Sequence, residues 1–144
     1  MHKSIDNLAL INDQIKKKFG LKSNLNIIAI SKTFPMKEIE HLINHGHVHF
    51  GENKVQEAVN KWTDIKNSLE HVQLHMVGKL QTNKTKYVIP LFDYLHSLDN
   101  IKLAEKISIE QKKVNKKIKI FIQVNIGNEV QKSGINIKDL QSFY

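Results

Sequence analysis

Ile27-Ile28-Ala29-Ile30-Ser31-Lys32-Thr33 is the stretch of sequence that decides the fold. Four apolar residues in a row come before the serine, and a short apolar run of this kind is typical of a buried strand. Pro35 follows closely, at a position that favours the first turn of a helix. The stretch therefore predicts a strand over residues 26–31 and a helix over residues 35–45, which together make one βα unit.

The alternation of strand and helix continues on both sides of this unit. Upstream, apolar residues at helical spacing run from Ile5 to Phe19, and Gly20 predicts the end of that helix. Downstream, strand starts recur roughly every 20–25 residues and a helical pattern follows each, as in βα units. The further predicted strands cover residues 47–50, 72–77, 92–98 and 118–125. Two further helices are predicted over residues 53–66 and 82–88. A third carries Leu103, Ala104 and Ile107 on one face, and Asp99 is its predicted cap.

This pattern predicts an α/β fold but leaves two architectures open. About five βα units fit either the first part of a (β/α)8 TIM-type barrel or a small doubly wound sheet. No low-complexity linker interrupts the pattern, so residues 1–144 form a single predicted domain. Ile137 and Leu140 begin another amphipathic helix just before Tyr144, and we therefore expect a domain that is incomplete at its C-terminus.

The composition is that of a globular domain with an apolar core. Of the 144 residues, 40% are hydrophobic and 25% are charged, which are ordinary values for soluble proteins. No apolar run approaches the ~20 residues of a membrane span and the N-terminus has no signal-peptide pattern, so we expect no membrane partner. Cysteine is absent, which excludes disulfides and thiolate catalysis and indicates a cytoplasmic location.

The net charge of +8 raises the possibility of a nucleic-acid partner, but the kind and placement of the charges argue against it. All 22 basic residues are lysine, so no arginine is present to bind a guanine edge or a phosphate with two parallel hydrogen bonds. The lysines are scattered, and the few aromatic residues are not interleaved with them as in a base-stacking surface. We therefore expect no nucleic-acid binding.

Lys32 is the first candidate for chemistry because it follows a predicted parallel strand. Folds of the α/β class place their active sites at the carboxyl ends of such strands. A lysine amine that is desolvated there loses affinity for its proton and becomes a nucleophile toward aldehydes. The alternative is a lysine whose ammonium group reaches water and has no chemical role.

Several further segments, taken together with this strand, resemble one family, the pyridoxal phosphate homeostasis proteins, which are related to the N-terminal barrel of alanine racemase. They occur in that family's order and spacing, and they cover essentially the whole chain but only about the first three-fifths of the family's barrel. The matching stretches are Ala29-Ile30-Ser31-Lys32-Thr33, Phe50-Gly51-Glu52-Asn53-Lys54-Val55-Gln56-Glu57, His75-Met76-Val77-Gly78-Lys79-Leu80-Gln81-Thr82-Asn83-Lys84, His96-Ser97-Leu98-Asp99, Gln123-Val124-Asn125-Ile126 and Lys132-Ser133-Gly134-Ile135.

The resemblance implies a partial (β/α)8 barrel that binds pyridoxal 5′-phosphate (PLP) as a Schiff base on Lys32. It implies a role in intracellular PLP homeostasis rather than robust catalysis, with PLP-dependent apoenzymes as possible partners and a monomer or weak homodimer as the assembly. Two alternatives stay open. One is a PLP-dependent enzyme similar to amino-acid racemases, and the other is an inactive, truncated remnant, because the family's phosphate-binding loops follow later strands.

The same motifs supply five further candidate cofactor-binding residues. Asn53 either caps the helix after it or reaches the cofactor, and His75 is either a core histidine bonded to a neighbour or a cofactor contact. Gly78 lets the backbone approach the cofactor ring. Asn125 and Lys132 support the residues that contact the cofactor.

A metal site is the remaining candidate, and four histidines suggest it. His41 and His45 share a helix face, and His47 and His49 share a strand face. A zinc site needs three or four ligands that converge, with further groups to orient them. Since the helix and the strand join at Gly46, the two faces need not converge, and we expect surface and interface histidines rather than a metal site.

Overall fold

The computed structural model describes residues 2–20, 25–127 and 129–144, in which helices alternate with parallel strands. The strands are β1 (Ala29–Ile30), β2 (His49–Glu52), β3 (Gln73–Met76), β4 (Tyr94–Leu98), β5 (Lys119–Ile122), β6 (Val124–Asn125) and β7 (Ile135–Asn136). The helices are α1 (Lys3–Phe19), α2 (Met36–Asn44), α3 (Val55–Ser68), α4 (Thr85–Leu91), α5 (Ile101–Val114) and α6 (Leu140–Phe143), and 3-10 turns cover Thr82–Lys84 and Ile137–Asp139. The predicted order of strands and helices is confirmed.

The first five strands form one parallel sheet in the order β1-β2-β3-β4-β5. One row of the sheet shows the register, with Ile30 opposite Gly51, Gly51 opposite His75, and His75 opposite Tyr94. Each strand is therefore the neighbour of the next strand in sequence. A doubly wound sheet reverses its strand order at a switch point, and this sheet has no such reversal. The doubly wound alternative is wrong for the described chain.

The hydrophobic core lies between the sheet and helices α2, α3, α4 and α5. Alternate strand residues point toward these helices, because successive side chains of a strand point to opposite faces. Trp62 of α3 is fully buried, and its ring lies 5.2 Å from that of Phe50 in β2. The other large buried residues of the cluster include Leu74, Met76, Val88, Ile89, Phe92, Leu95, Leu103 and Ile107.

Three details of the predicted elements are wrong. The first strand has only two ladder residues, Ala29–Ile30, instead of the six predicted over residues 26–31. The predicted strand 118–125 divides at Gln123 into β5 and β6, because Gln123 donates to the Leu98 carbonyl at 2.8 Å while β6 pairs with β7. The N-cap of α5 is Asn100 rather than Asp99, since the Asn100 side chain accepts from the Leu103 N–H at 2.9 Å.

None of the helices in the described part of the chain is long and apolar enough to cross a membrane.

Candidate functional site

The carboxyl edge of the parallel sheet carries most of the predicted site residues. Lys32 comes two positions after β1, Asn53 comes directly after β2, and Gly78 comes two positions after β3. Asn125 lies in β6, just beyond the end of β5. Because all five strands of the sheet run in the same direction, these positions meet at one edge, which is where α/β folds bind their ligands.

Lys32 lies in a turn and its side chain is exposed. Among the described residues, no hydrogen bond or ion pair involves its amine. The expectation of a desolvated amine is therefore wrong for this structure, because no element within the described ranges covers the turn. The amine is instead open to a reactant that arrives from solvent. The next residue, Thr33, has a φ of +67°, a left-handed value that is unusual for a residue other than glycine.

Asn53 and Gly78 lie against each other through their backbones. A Cβ atom on Gly78 would lie 2.8 Å from the Asn53 Cα, so only glycine fits at this position. Gly78 thus accommodates the neighbouring Asn53 backbone, and its approach to a cofactor ring stays a prediction. The helix-cap interpretation of Asn53 is wrong, because the N-cap of α3 is Lys54, and no side chain caps that helix.

Asn125 and Lys132 lie together at the end of the sheet. The Asn125 amide donates to the Glu129 carbonyl at 2.8 Å, and the Lys132 ammonium lies 2.7 Å from the Glu129 carboxylate. Both residues line a cleft of about 470 Å³ that also includes Lys79. Lys79 lines a second cleft, of about 310 Å³, together with Asn53. Sequence reasoning did not single out Lys79, although its place after Gly78 at the same edge could have indicated it.

Three histidines form a hydrogen-bonded row across the sheet face opposite the helices. His75 Nε2 lies 3.0 Å from His49 Nδ1, and His75 Nδ1 lies 2.9 Å from His96 Nε2. His75 is only 4% exposed, and its ring stacks on that of Tyr94 at 4.1 Å. His75 is therefore a buried histidine bonded to its neighbours, and its contact with a cofactor stays a prediction.

The histidine row is held in the neutral state near pH 7. Burial, followed by the effects of His96 and His49, lowers the pKa of His75 from 6.5 to about 4, although Asp93 acts in the opposite direction. Burial also lowers the pKa of His49, with a smaller contribution from Lys119, and it lowers the pKa of His96. Neutral imidazoles in contact avoid the repulsion that neighbouring charges would bring.

A buried carboxylate lies below the Lys32 turn, and sequence reasoning missed it. Glu52 is fully buried at the end of β2, and its Oε1 accepts from three donors. The donors are Ser31 Oγ at 2.7 Å, Lys61 Nζ at 2.9 Å and Trp62 Nε1 at 2.9 Å. The second oxygen, Oε2, has no hydrogen-bond partner among the described residues. An acidic residue directly after the apolar Phe50 and Gly51 was the available signal, since such a residue needs a partner when it is buried.

The four histidines considered for a metal do not form a site. The His47 ring bonds the His49 carbonyl at 2.9 Å, and the His41 ring stacks on that of His2 at 4.0 Å. Within the described ranges, no group of three or more histidine, aspartate or glutamate side chains is arranged to hold a metal ion.

Curated proteins similar to this chain include several named pyridoxal phosphate homeostasis protein. Over 147 aligned residues the chain is 35% identical to the pyridoxal phosphate homeostasis protein of Vibrio cholerae serotype O1, and 97% of this chain is covered. It is 35% identical over 139 residues to the protein of that name from Haemophilus influenzae, with 93% of this chain covered. In sequence, this chain is similar to the pyridoxal phosphate homeostasis proteins over nearly its whole length. The resemblance predicted from the motifs is thereby confirmed, although no family model matches the chain.

Solved structures extend the likeness to the fold. PipY of Synechococcus elongatus PCC7942, solved without PLP, matches with a TM-score of 0.84 at 32% identity over 95% of this chain. The same protein with PLP bound matches with a TM-score of 0.81 at 31% identity over 95% of this chain. The matched part is 60% of PipY, 58% of the Haemophilus protein and 61% of the Vibrio protein. This chain therefore spans about three-fifths of the length of PipY and of these two curated relatives.

Proposed function

We propose that this chain binds pyridoxal 5′-phosphate as a Schiff base on Lys32 and takes part in keeping the cofactor available in the cell. The observation that carries the proposal is the Lys32 amine at the carboxyl edge of the sheet, which is exposed and has no hydrogen bond or ion pair to any described residue. PipY, which has a similar fold, was solved with PLP bound. The role in homeostasis rests on the name that the curated relatives share.

The residues at this edge fit the chemistry of the cofactor. The aldehyde of PLP supplies an electrophilic carbon. The Lys32 amine nitrogen adds to that carbon, and the aldehyde oxygen leaves as water, so that a carbon–nitrogen double bond joins lysine and cofactor. Lys79 lines both clefts and brings positive charge toward a phosphate group. Lys132 lines one of them, where its ammonium group pairs with the Glu129 carboxylate. Asn53 and Asn125 add amide groups to the same clefts.

We further propose that residues 1–144 form one PLP-binding domain, in which β1 to β5 are the first five strands of a (β/α)8 barrel. The sequential order of parallel strands supports this, because a barrel places each strand next to its successor. The domain would act as a carrier whose recipients are PLP-dependent apoenzymes. The alternative, a racemase-like reaction, would need a positioned proton donor and acceptor beside the cofactor.

Covalent trapping tests the proposal. The purified chain is incubated with PLP, the double bond is reduced with borohydride, and the modified lysines are identified by mass spectrometry. Most of the adduct is expected on Lys32, and it disappears in Lys32→Met. Lys37→Met is the matched control, because Lys37 is an exposed lysine on the helix that follows the turn. An adduct spread over many lysines, with a total that Lys32→Met leaves unchanged, would contradict the assignment.

A further inference from the structure

Ser31, the residue directly before Lys32, is held at each of its polar groups. Its N–H donates to the Gly51 carbonyl at 2.9 Å, and its hydroxyl donates to Glu52 Oε1 at 2.7 Å. Its carbonyl accepts from the Lys61 ammonium at 3.0 Å. Ser31 is only 4% exposed, so water does not compete freely for these bonds. The backbone is therefore fixed one residue before the amine of the proposed site.

Lys61 links three parts of the fold at this point. From helix α3 it reaches both the Ser31 carbonyl after β1 and the Glu52 carboxylate in β2, at 3.0 and 2.9 Å. Its side chain is 14% exposed, and that of Glu52 is fully buried. Two opposite charges in such surroundings compensate each other, and the loss of one leaves the other buried without a partner.

The turn that carries Lys32 has little else to hold it. The Phe34 N–H donates to the Ser31 carbonyl at 3.2 Å, and this bond closes the turn. Between them, Thr33 has a left-handed φ of +67°, which costs free energy for a β-branched residue. The Lys32 side chain adds no bond of its own among the described residues. The Ser31 carbonyl thus accepts both the Phe34 N–H that closes the turn and the Lys61 ammonium.

We infer that Lys61 is a positioning residue, which holds the Ser31 carbonyl and thereby fixes the turn that presents the Lys32 amine. The inference takes its chemical meaning from the proposed function, since Lys32 is the amine in question. Lys61 touches no reacting atom in this scheme. It acts through Ser31, with Glu52 as the counter-charge that keeps its ammonium group in place.

The chain offers a matched control on the same helix. Lys66 of α3 also bonds one carboxylate and one backbone carbonyl, Asp93 Oδ2 at 2.7 Å and the Val72 carbonyl at 2.6 Å. Its side chain is 15% exposed, close to the value for Lys61. Lys61→Met and Lys66→Met therefore remove equivalent interactions, but only Lys61→Met affects the Lys32 turn.

Amide hydrogen exchange, measured by mass spectrometry on peptides that span residues 29–36, tests the positioning role of Lys61 without any cofactor. Lys61→Met is expected to speed exchange of the Phe34 amide about tenfold relative to Lys66→Met, which is the effect of losing one charge-assisted hydrogen bond. Lys61→Arg is expected to restore slow exchange, because a guanidinium keeps the charge and the donors. Equal exchange in folded Lys61→Met and Lys66→Met would overturn the inference.

Two further measurements separate this inference from the proposed function. If Lys61→Met fails to fold, the double variant Lys61→Met/Glu52→Gln replaces it, because it leaves no unpaired buried charge and is expected to show the same faster exchange. In borohydride trapping, the share of adduct on Lys32 is expected to fall severalfold in Lys61→Met and to return in Lys61→Arg. If Lys61→Met shows faster exchange while the unsubstituted chain shows no adduct on Lys32, the proposed function is overturned and the positioning role of Lys61 is supported.

Discussion

Stability is expected to fall as the pH is lowered from 7 to 5, and His75 is the main cause. The folded chain holds this imidazole with a pKa of about 4, against 6.5 for an ordinary histidine. Between these values the unfolded chain binds a proton that the folded chain does not bind. Protonation therefore favours the unfolded state, and stability is lost as the pH falls through this window and is fully present above it.

The size of the effect follows from the two pKa values. A shift of one pKa unit corresponds to about 1.4 kcal/mol, so the full loss is about 3 kcal/mol once the pH is below 4. Between pH 7 and pH 5 the same relation gives a loss of about 2 kcal/mol from this one residue. That is a large part of the total stability of an ordinary small domain, which is about 5–15 kcal/mol.

Urea unfolding at a series of pH values, followed by circular dichroism, measures this loss. The variant His75→Gln has no titrating group at the position and is expected to lose about 2 kcal/mol less than the unsubstituted chain between pH 7 and 5. His71→Gln is the control, because His71 is an exposed histidine outside the row. A pH profile that is the same for all three chains would refute the reasoning.

Four substitutions test the packing and capping contacts, each by urea unfolding at pH 7. Gly78→Ala is expected to cost about 2–3 kcal/mol, because its methyl group would lie 2.8 Å from the Asn53 Cα, and a loss near zero would contradict the close approach. Asn100→Ala is expected to cost about 1 kcal/mol and Asp99→Ala less, since Asn100 holds the cap, and the reverse order would restore Asp99 as the cap. Trp62→Phe is expected to cost about 2 kcal/mol, through the lost indole donor to the buried carboxylate and the lost ring volume, and an unchanged midpoint would argue against this bond.

The order of elements was predictable because it depends on local periodicity. Each strand and helix has its own apolar pattern, and the chain repeats that pattern often enough to reveal βα units. The order of the strands within the sheet was not predictable, because it depends on contacts between distant segments of the chain. The cap of α5 was misplaced by one residue, because Asp99 and Asn100 are both good caps and only their backbone angles decide between them.

The site was predictable only in part, for a related reason. Motif order identified Lys32, Asn53, Gly78 and Asn125, and the parallel sheet brings all four positions to one edge. The exposure of Lys32 was not predictable, because burial depends on what covers a turn rather than on the turn itself. Sequence patterns also assign no partner to a lone acidic residue, and so the donors that converge on the buried carboxylate were visible only in three dimensions.

The hydrogen bonds of the histidine row make its three rings depend on one another. A neutral imidazole carries one N–H, and both nitrogens of His75 are bonded to other imidazoles. If His75 carries its hydrogen on Nε2, then His49 and His96 must carry theirs on Nε2 as well, and the same holds for Nδ1. The row therefore has only two consistent neutral tautomers. A change from one to the other takes up a proton at one end and releases a proton at the opposite end, while every ring keeps its place.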